Sequence, residues 1–171
     1  GLAGGWAECD RVGEVVREFP GRQGIVGGLY AGVQGELDEG ADASYDHYRP
    51  VGLTDPIPRN VTGCAVALAD KLDSIAGCFT VGVVPTGSSD PYALRRAALG
   101  IVKIILEKKL PVSLSLAVGA AAKALLVHKP KKGMTTEQEA QVLDFILDRA
   151  KFIFRDRDGF AYDEVNAVFR A

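Results

Sequence analysis

Two histidines, a pair of aspartates one helical turn apart and a run of arginines and lysines are the side chains best suited to chemistry in this 171-residue sequence. His47 and His128 lie far apart in unlike contexts, and no H-E-x-x-H or G-x-S-x-G pattern surrounds either. In "LADKLDS", Asp70 and Asp73 share a helix face at i, i+3, which either sets two carboxylates beside a cation or forms a solvated edge. His47, Asp10 and Asp70 have the nitrogen and oxygen donors a divalent ion takes, but ordinary structural roles are the favoured reading of them. Cys9, Cys64 and Cys78 are an odd set without C-x-x-C spacing, which argues against both a disulfide framework and a cysteine zinc centre.

The second chemistry is phosphate binding. "PTGSSDPYALRRAALGIVKIILEKK", residues 85–109, leads from a Gly/Ser turn through an Asp-Pro step into Arg95 and Arg96, and ends in Lys108 and Lys109. No Lys-Ser or Lys-Thr follows Gly87 and no G-x-G-x-x-G is present, so residues 85–90 read as a capped turn rather than a nucleotide cradle. Asp90 is expected to cap the helix that begins there, with Pro91 in its first turn. Leu94, Ala98, Ile101 and Ile105 then face a core, and Arg96, Lys103 and Glu107 share a charged face. Net charge is only −2, but residues 61–134 carry 10 bases against 4 acids, between two acidic ends. Arg95, Arg96, Lys103, Lys108, Lys109 and the "KPKK" of residues 129–132 are thus either ordinary solvated faces or a footprint for a polyanion.

These groups are positioned by helices. "AECDRVGEVVREF" puts Val12, Val15, Val16 and Phe19 on one face and stops at Pro20-Gly21. A glycine-weakened helix carries Ile25, Leu29 and Val33, and a short one ends before Pro50. A long helix starts at Val61, and another small-residue helix follows the break at Pro111. Thr136 and Glu139 match a capping box, opening a helix through Val142, Ile146 and Ile153; a last helix holds Val165 and Val168. "CFTVGVV" is the one strand candidate. The expected fold class is all-α, with seven or eight helices.

A hydrophobic content of 47% suffices for a real core, and charges interrupt every apolar run well before the ~18 residues a bilayer span needs. No signal segment opens the chain, so a soluble cytoplasmic protein is expected.

The segments "EFPGRQGIVGGLYA", "DHYRP", "VALADKLDSIAGCFTVGVVPTGSSDPYALRRAALGIVKIILEK" and "LDFILDRAKFIFRDRDGFAYDEVNAVFRA" together resemble the beta subunit of the bacterial heterotetrameric glycyl-tRNA synthetases. The most specific element is the ordered series "LADKLD", G-x-x-P-T-G-S-x-D-P and "ALRRAA-x-G". The sequence is far shorter than such a subunit and resembles an internal, helical, HD-like part of it. The resemblance implies an HD-domain-like bundle over residues 8–110 and a helical extension over 111–171 packed on it; residues 1–7, Gly-rich and patternless, read as a disordered or foreign start. It also implies that ATP and Mg2+ act on the alpha subunit, so this part alone holds no cofactor and charges no tRNA. Its partners would be glycine tRNA, the alpha subunit and the remaining beta-subunit domains. Arg95, Arg96, Lys103, Lys108 and Lys109 would contact acceptor-arm phosphates, with Arg95 and Arg96 alternatively pinned to carboxylates such as Asp70 or Asp73.

Against metal-dependent HD phosphohydrolases, Asp70 resembles the distal aspartate and Asp10 the aspartate of the His-Asp pair. Cys9 replaces the paired histidine, and His47 matches only an auxiliary position. With a ligating nitrogen lost, the resemblance implies a vestigial site in which Asp10, His47 and Asp70 hold the fold by hydrogen bonds. An active phosphohydrolase on a nucleotide and an architectural spacer between domains are the competing readings.

Overall fold

The computed structural model describes residue 7, residues 9–128 and residues 133–169. The expectations for "KPKK" and, Ala7 apart, for the first seven residues lie outside the described residues. Eight α-helices are present among them: α1 Glu14–Glu18, α2 Ile25–Val33, α3 Asp38–Asp46, α4 Val61–Thr80, α5 Leu94–Lys108, α6 Leu114–His128, α7 Thr136–Asp156 and α8 Tyr162–Val168. The fold is all-α. The strand candidate instead ends α4 and continues into a turn, and the only β pairing among the described residues is an isolated bridge between Thr86 and Ser89. No described helix is long and apolar enough to cross a membrane.

α4 and α5 form the centre. Ile75, Leu94, Ile101, Ile104, Ile146 and Ile153 are among the largest fully buried side chains, drawn from α4, α5 and α7. α6 packs on α4 and α7, α3 joins α4 to α2, and α8 rests on the end of α7. The apolar stripes of α4, α5 and α7 repeat at helical spacing and so seal against one another.

The amino-terminal helices depart from expectation. The segment 9–19 breaks into a 3-10 turn at Cys9–Val12 and the five-residue α1, and only Val16 of its four apolar residues is buried. In α2 it is Gly28 and Ala31 that face inward, whereas Leu29 and Val33 are exposed. The cause is close helix packing: a Cβ on Gly28 would stand 2.6 Å from Tyr45 Cβ and 2.9 Å from the Ala41 carbonyl oxygen. The glycines that weaken α2 by propensity are what lets α3 approach it.

Candidate functional site

At the start of α5, Asp90 does supply acceptors to the first helical N–H groups, but Ala93 holds the capping position and the helix begins four residues after Asp90, at Leu94, with Pro91 outside it. The two Asp90 carboxylate oxygens accept from the Leu94 and Arg95 backbone N–H groups at 2.8 and 3.0 Å. Ala93 between them takes a left-handed conformation, φ 56°. Arg95 then folds back, its guanidinium donating to the carbonyls of Gly87 (2.8 Å) and Ser89 (3.2 Å). The "PTGSSDP" turn is therefore closed by its own aspartate at one end and by Arg95 at the other. Arg95 holds this turn rather than pairing with Asp70 or Asp73.

The remaining cations of α5 divide between interior and surface. Lys103 is buried, and its ammonium donates to the carbonyls of Leu53 and Asp55 on the loop that crosses α5, with Glu107 at 3.5 Å. The expected charged face is thus interrupted at its middle residue, because a loop fifty positions away supplies acceptors. Lys108 is half-buried and donates to the Arg59 carbonyl at 3.0 Å. Arg96 and Lys109 are exposed, near opposite ends of α5 and about 20 Å apart along its axis. Of the five cations read from the sequence, these two are most open to an external phosphate.

Asp10, His47 and Asp70 do not meet as a ligand set. Asp10 is buried, and its Oδ2 accepts from the N–H groups of Gly24 (2.6 Å) and Gly27 (3.2 Å). It therefore serves the first turn of α2, where unpaired N–H groups and the positive end of the helix dipole favour a carboxylate. His47 is fully buried and donates from Nδ1 to the Ser44 carbonyl at 2.7 Å, since a carbonyl oxygen can only accept. Its ring lies 3.9 Å from that of Tyr48. Asp70 is half-exposed on α4, next to Lys71, and lines a cleft. Among the described residues no three His, Cys, Asp or Glu side chains are grouped to hold a metal ion. The donor set does not fit the metal that an HD-like site would carry, and no hydrolytic step is derived from it.

The wall bearing Asp70 borders a cleft of about 1110 Å³ between α4, α5 and α6. Its lining is apolar and rich in alanine from α6 (Ala117, Ala120, Ala121, Ala124); Asp70 and Asp73 are the only charged residues among the described ones that line it.

What the sequence reading missed is the ionic core beneath "DHYRP". Asp46 is fully buried. Its carboxylate accepts from Arg59 Nε at 2.8 Å, from the Arg59 backbone N–H at 3.1 Å and from a terminal Arg59 nitrogen at 3.2 Å, with Arg49 at 3.1 Å. Arg59 also pairs with Asp42 at 2.6 Å. Hydrogen bonding to Asp46 raises the Arg59 pKa, and the two guanidinium groups lie over the Tyr45 ring at 5.1 and 5.6 Å. Lys71 completes the knot: buried on α4, it donates to the carbonyls of His47 (3.1 Å) and Tyr48 (3.3 Å). Burial lowers its pKa to about 8, against a smaller opposing effect of Asp70. One signal was available beforehand: a lysine at the centre of an otherwise apolar helical stripe, beside Ala67, Leu68, Leu72 and Ile75.

The chain is therefore an all-α unit with a closed Gly/Ser turn, an internal ionic knot and cations at both ends of one helix. The family model described as glycyl-tRNA synthetase beta subunit matches residues 2–170, and the chain belongs to that family. Among similar proteins, the glycine–tRNA ligase beta subunit of Pseudomonas entomophila is 45% identical over 170 residues, 98% of this chain and 24% of that protein. The beta subunit of Aromatoleum aromaticum is 44% identical over 162 residues, 95% of this chain and 23% of that protein. The chain spans about a quarter of the length of the curated relatives it matches.

Proposed function

We propose that this chain is a non-catalytic, RNA-binding part of a cytoplasmic glycine–tRNA ligase, acting in ATP-dependent glycyl-tRNA formation. In this reading ATP, Mg2+ and the aminoacylation chemistry belong to the alpha subunit, and this helical unit presents cations to the acceptor arm of glycine tRNA. The family match over nearly the whole chain carries the proposal. Arg96 and Lys109, exposed at the ends of α5, are the leading phosphate contacts; Arg95 and Lys108 reach outward only from tethered positions. Lys103 supports the surface from inside by holding the loop at Leu53–Asp55. In the same reading Asp10, His47 and Asp70 are remnants of an HD-like site kept for the fold.

The test is binding of the chain to glycine tRNA across a salt series. Each lost phosphate contact lowers the salt-dependence slope by about 1, so Arg96→Gln and Lys109→Gln each flatten it by that amount. An unchanged slope in the double variant would sink the α5 assignment. A second reading, an architectural unit seated between other parts of the subunit, is favoured by the exposed apolar residues Val12, Leu29, Tyr30 and Val33 on the amino-terminal helices.

A further inference from the structure

The turn that leads into α5 holds an aromatic ring for which the fold has no use. Tyr92 is 63% exposed, and neither its ring nor its hydroxyl has a partner among the described residues. Four positions on, in the first turn of α5, the exposed Arg96 guanidinium likewise makes no hydrogen bond or ion pair among the described residues. Its neighbour Arg95 is committed to the carbonyls of Gly87 and Ser89. A flat apolar face and an uncommitted cation therefore leave the same end of one helix.

The backing of this ring is rigid. The Ser89 N–H donates to the Thr86 carbonyl at 2.9 Å and the Ala93 N–H to the Asp90 carbonyl at 3.1 Å, so Tyr92 is the third residue of a closed turn. Asp90 holds the Leu94 and Arg95 N–H groups, and Arg95 clamps the preceding limb. The backbone that presents the ring is set before a ligand arrives, and tyrosine has only two side-chain angles to fix, so the entropic cost of using it is small. The local charge suits a phosphate. Asp90 is the sole acid in residues 81–106, and both of its carboxylate oxygens are already answered by backbone donors.

We propose that Tyr92 stacks on an unpaired base of the RNA whose phosphate Arg96 meets. This assignment rests on the RNA-binding function proposed for the chain and names the part of the RNA that is held. Inside a duplex each base face is covered by its neighbours, whereas single-stranded ends and loops offer theirs to aromatic side chains. A protein partner would have to bring an apolar pocket and a separate carboxylate; one unpaired nucleotide carries both a π face and a charged phosphate. Every base has such a face, so Tyr92 holds a strand without reading its sequence.

The test measures binding of the full 171-residue chain, across a salt series, to a single-stranded RNA carrying 2-aminopurine and to a duplex with the same label inside it. Binding is expected to quench the label in the single strand and not in the duplex. Tyr92→Ala and Tyr92→Leu each weaken single-strand binding about tenfold and abolish the quenching, whereas Tyr92→Phe keeps both. Leucine retains apolar bulk without a flat face, so it separates stacking from simple burial. None of the three changes the salt slope, because an uncharged ring releases no counterion, while Arg96→Gln lowers it by about 1. Wild-type affinity and quenching in Tyr92→Leu overturn the proposal, and the Arg96 effect then still reports on the α5 cations by itself. Quenching lost in Tyr92→Leu beside an unchanged slope in the Arg96→Gln, Lys109→Gln double variant keeps the stacking and sinks the α5 cations. Absence of wild-type binding to both RNAs overturns both.

Discussion

The stem of Lys71 on α4 crosses the backbone of Gly100 on α5: a Cβ on Gly100 would stand 2.8 Å from Lys71 Cε and 3.2 Å from the Pro50 carbonyl oxygen. The lysine cannot swing aside freely, because its ammonium is held by the carbonyls of His47 and Tyr48. Gly100→Ala is therefore expected to destabilise by about 1 kcal/mol, the overpacking cost of ~1–3 kcal/mol outweighing the ~1 kcal/mol gain in helix propensity. Urea unfolding of both single variants and of Gly100→Ala in a Lys71→Ala background gives the coupling. Loss of the penalty in the double variant confirms the contact.

The buried Lys71 also makes stability depend on pH. Its folded pKa, about 8, lies below the ordinary 10.5 because burial disfavours the ammonium. Between these values the unfolded chain holds a proton that the folded chain has released, so the Lys71 contribution rises with pH from about 8 to 10.5 and is lost as pH falls through 8. The upper bound is about 3 kcal/mol, reduced by the two carbonyls that stabilise the charged form. Burial raises the pKa values of Cys64 and Cys78, and these thiols act in the opposite direction above pH 9. Wild type minus Lys71→Met, which retains both thiols, is the difference to measure at pH 8, 9 and 10. A flat difference contradicts the assignment.

Asp10 is expected to behave as a helix-start residue. Asp10→Ala removes the acceptor for two first-turn N–H groups and should cost about 2 kcal/mol, against about 1 for Asp10→Asn, which keeps one acceptor oxygen. Amide hydrogen exchange at Gly24 and Gly27 reports it directly, since both amides bond to this carboxylate. Unchanged protection at both positions would contradict it.

The ionic knot predicts unequal effects for its members. Arg59→Ala removes two side-chain donors from the fully buried Asp46 carboxylate, leaving it Arg49 and the backbone N–H of residue 59, and should cost about 2 kcal/mol. Asp42→Ala removes a partly solvated partner of the same arginine and should cost under about 1 kcal/mol. Denaturant midpoints of the two variants measure the ratio, and equal losses would show that Asp46 is not the anchor.

The capping box of α7 shows how far local reading reaches. Thr136 with Glu139 and Thr135 with Gln138 both satisfy the pattern. The structure uses the second: Thr135 Oγ1 accepts from the Gln138 N–H, and the Gln138 side-chain carbonyl accepts from the Thr135 N–H. The Gln138 side-chain amide also donates to the Phe79 carbonyl at 3.1 Å, a contact that the pattern around Thr135 does not contain. Val12, Leu29 and Val33 teach the same lesson in reverse. Their spacing is helical and apolar, yet the face that packs is chosen by the close approach of α3 to Gly28.

The order of helices, the breaks at Pro20 and Pro111, the acceptor role of Asp90 and the basic middle of the chain were determined by the sequence alone, because periodicity, capping and charge act within a turn or two. Only the tertiary structure decided that Lys103 turns inward while Arg96 and Lys109 stay outside, that Asp46 rather than His47 anchors "DHYRP", and that Arg149 keeps an unanswered donor. A buried charge survives only where distant backbone oxygens or opposite charges surround it. Their arrival, from Leu53 to Lys103 and from Arg59 to Asp46, is a property of the folded chain.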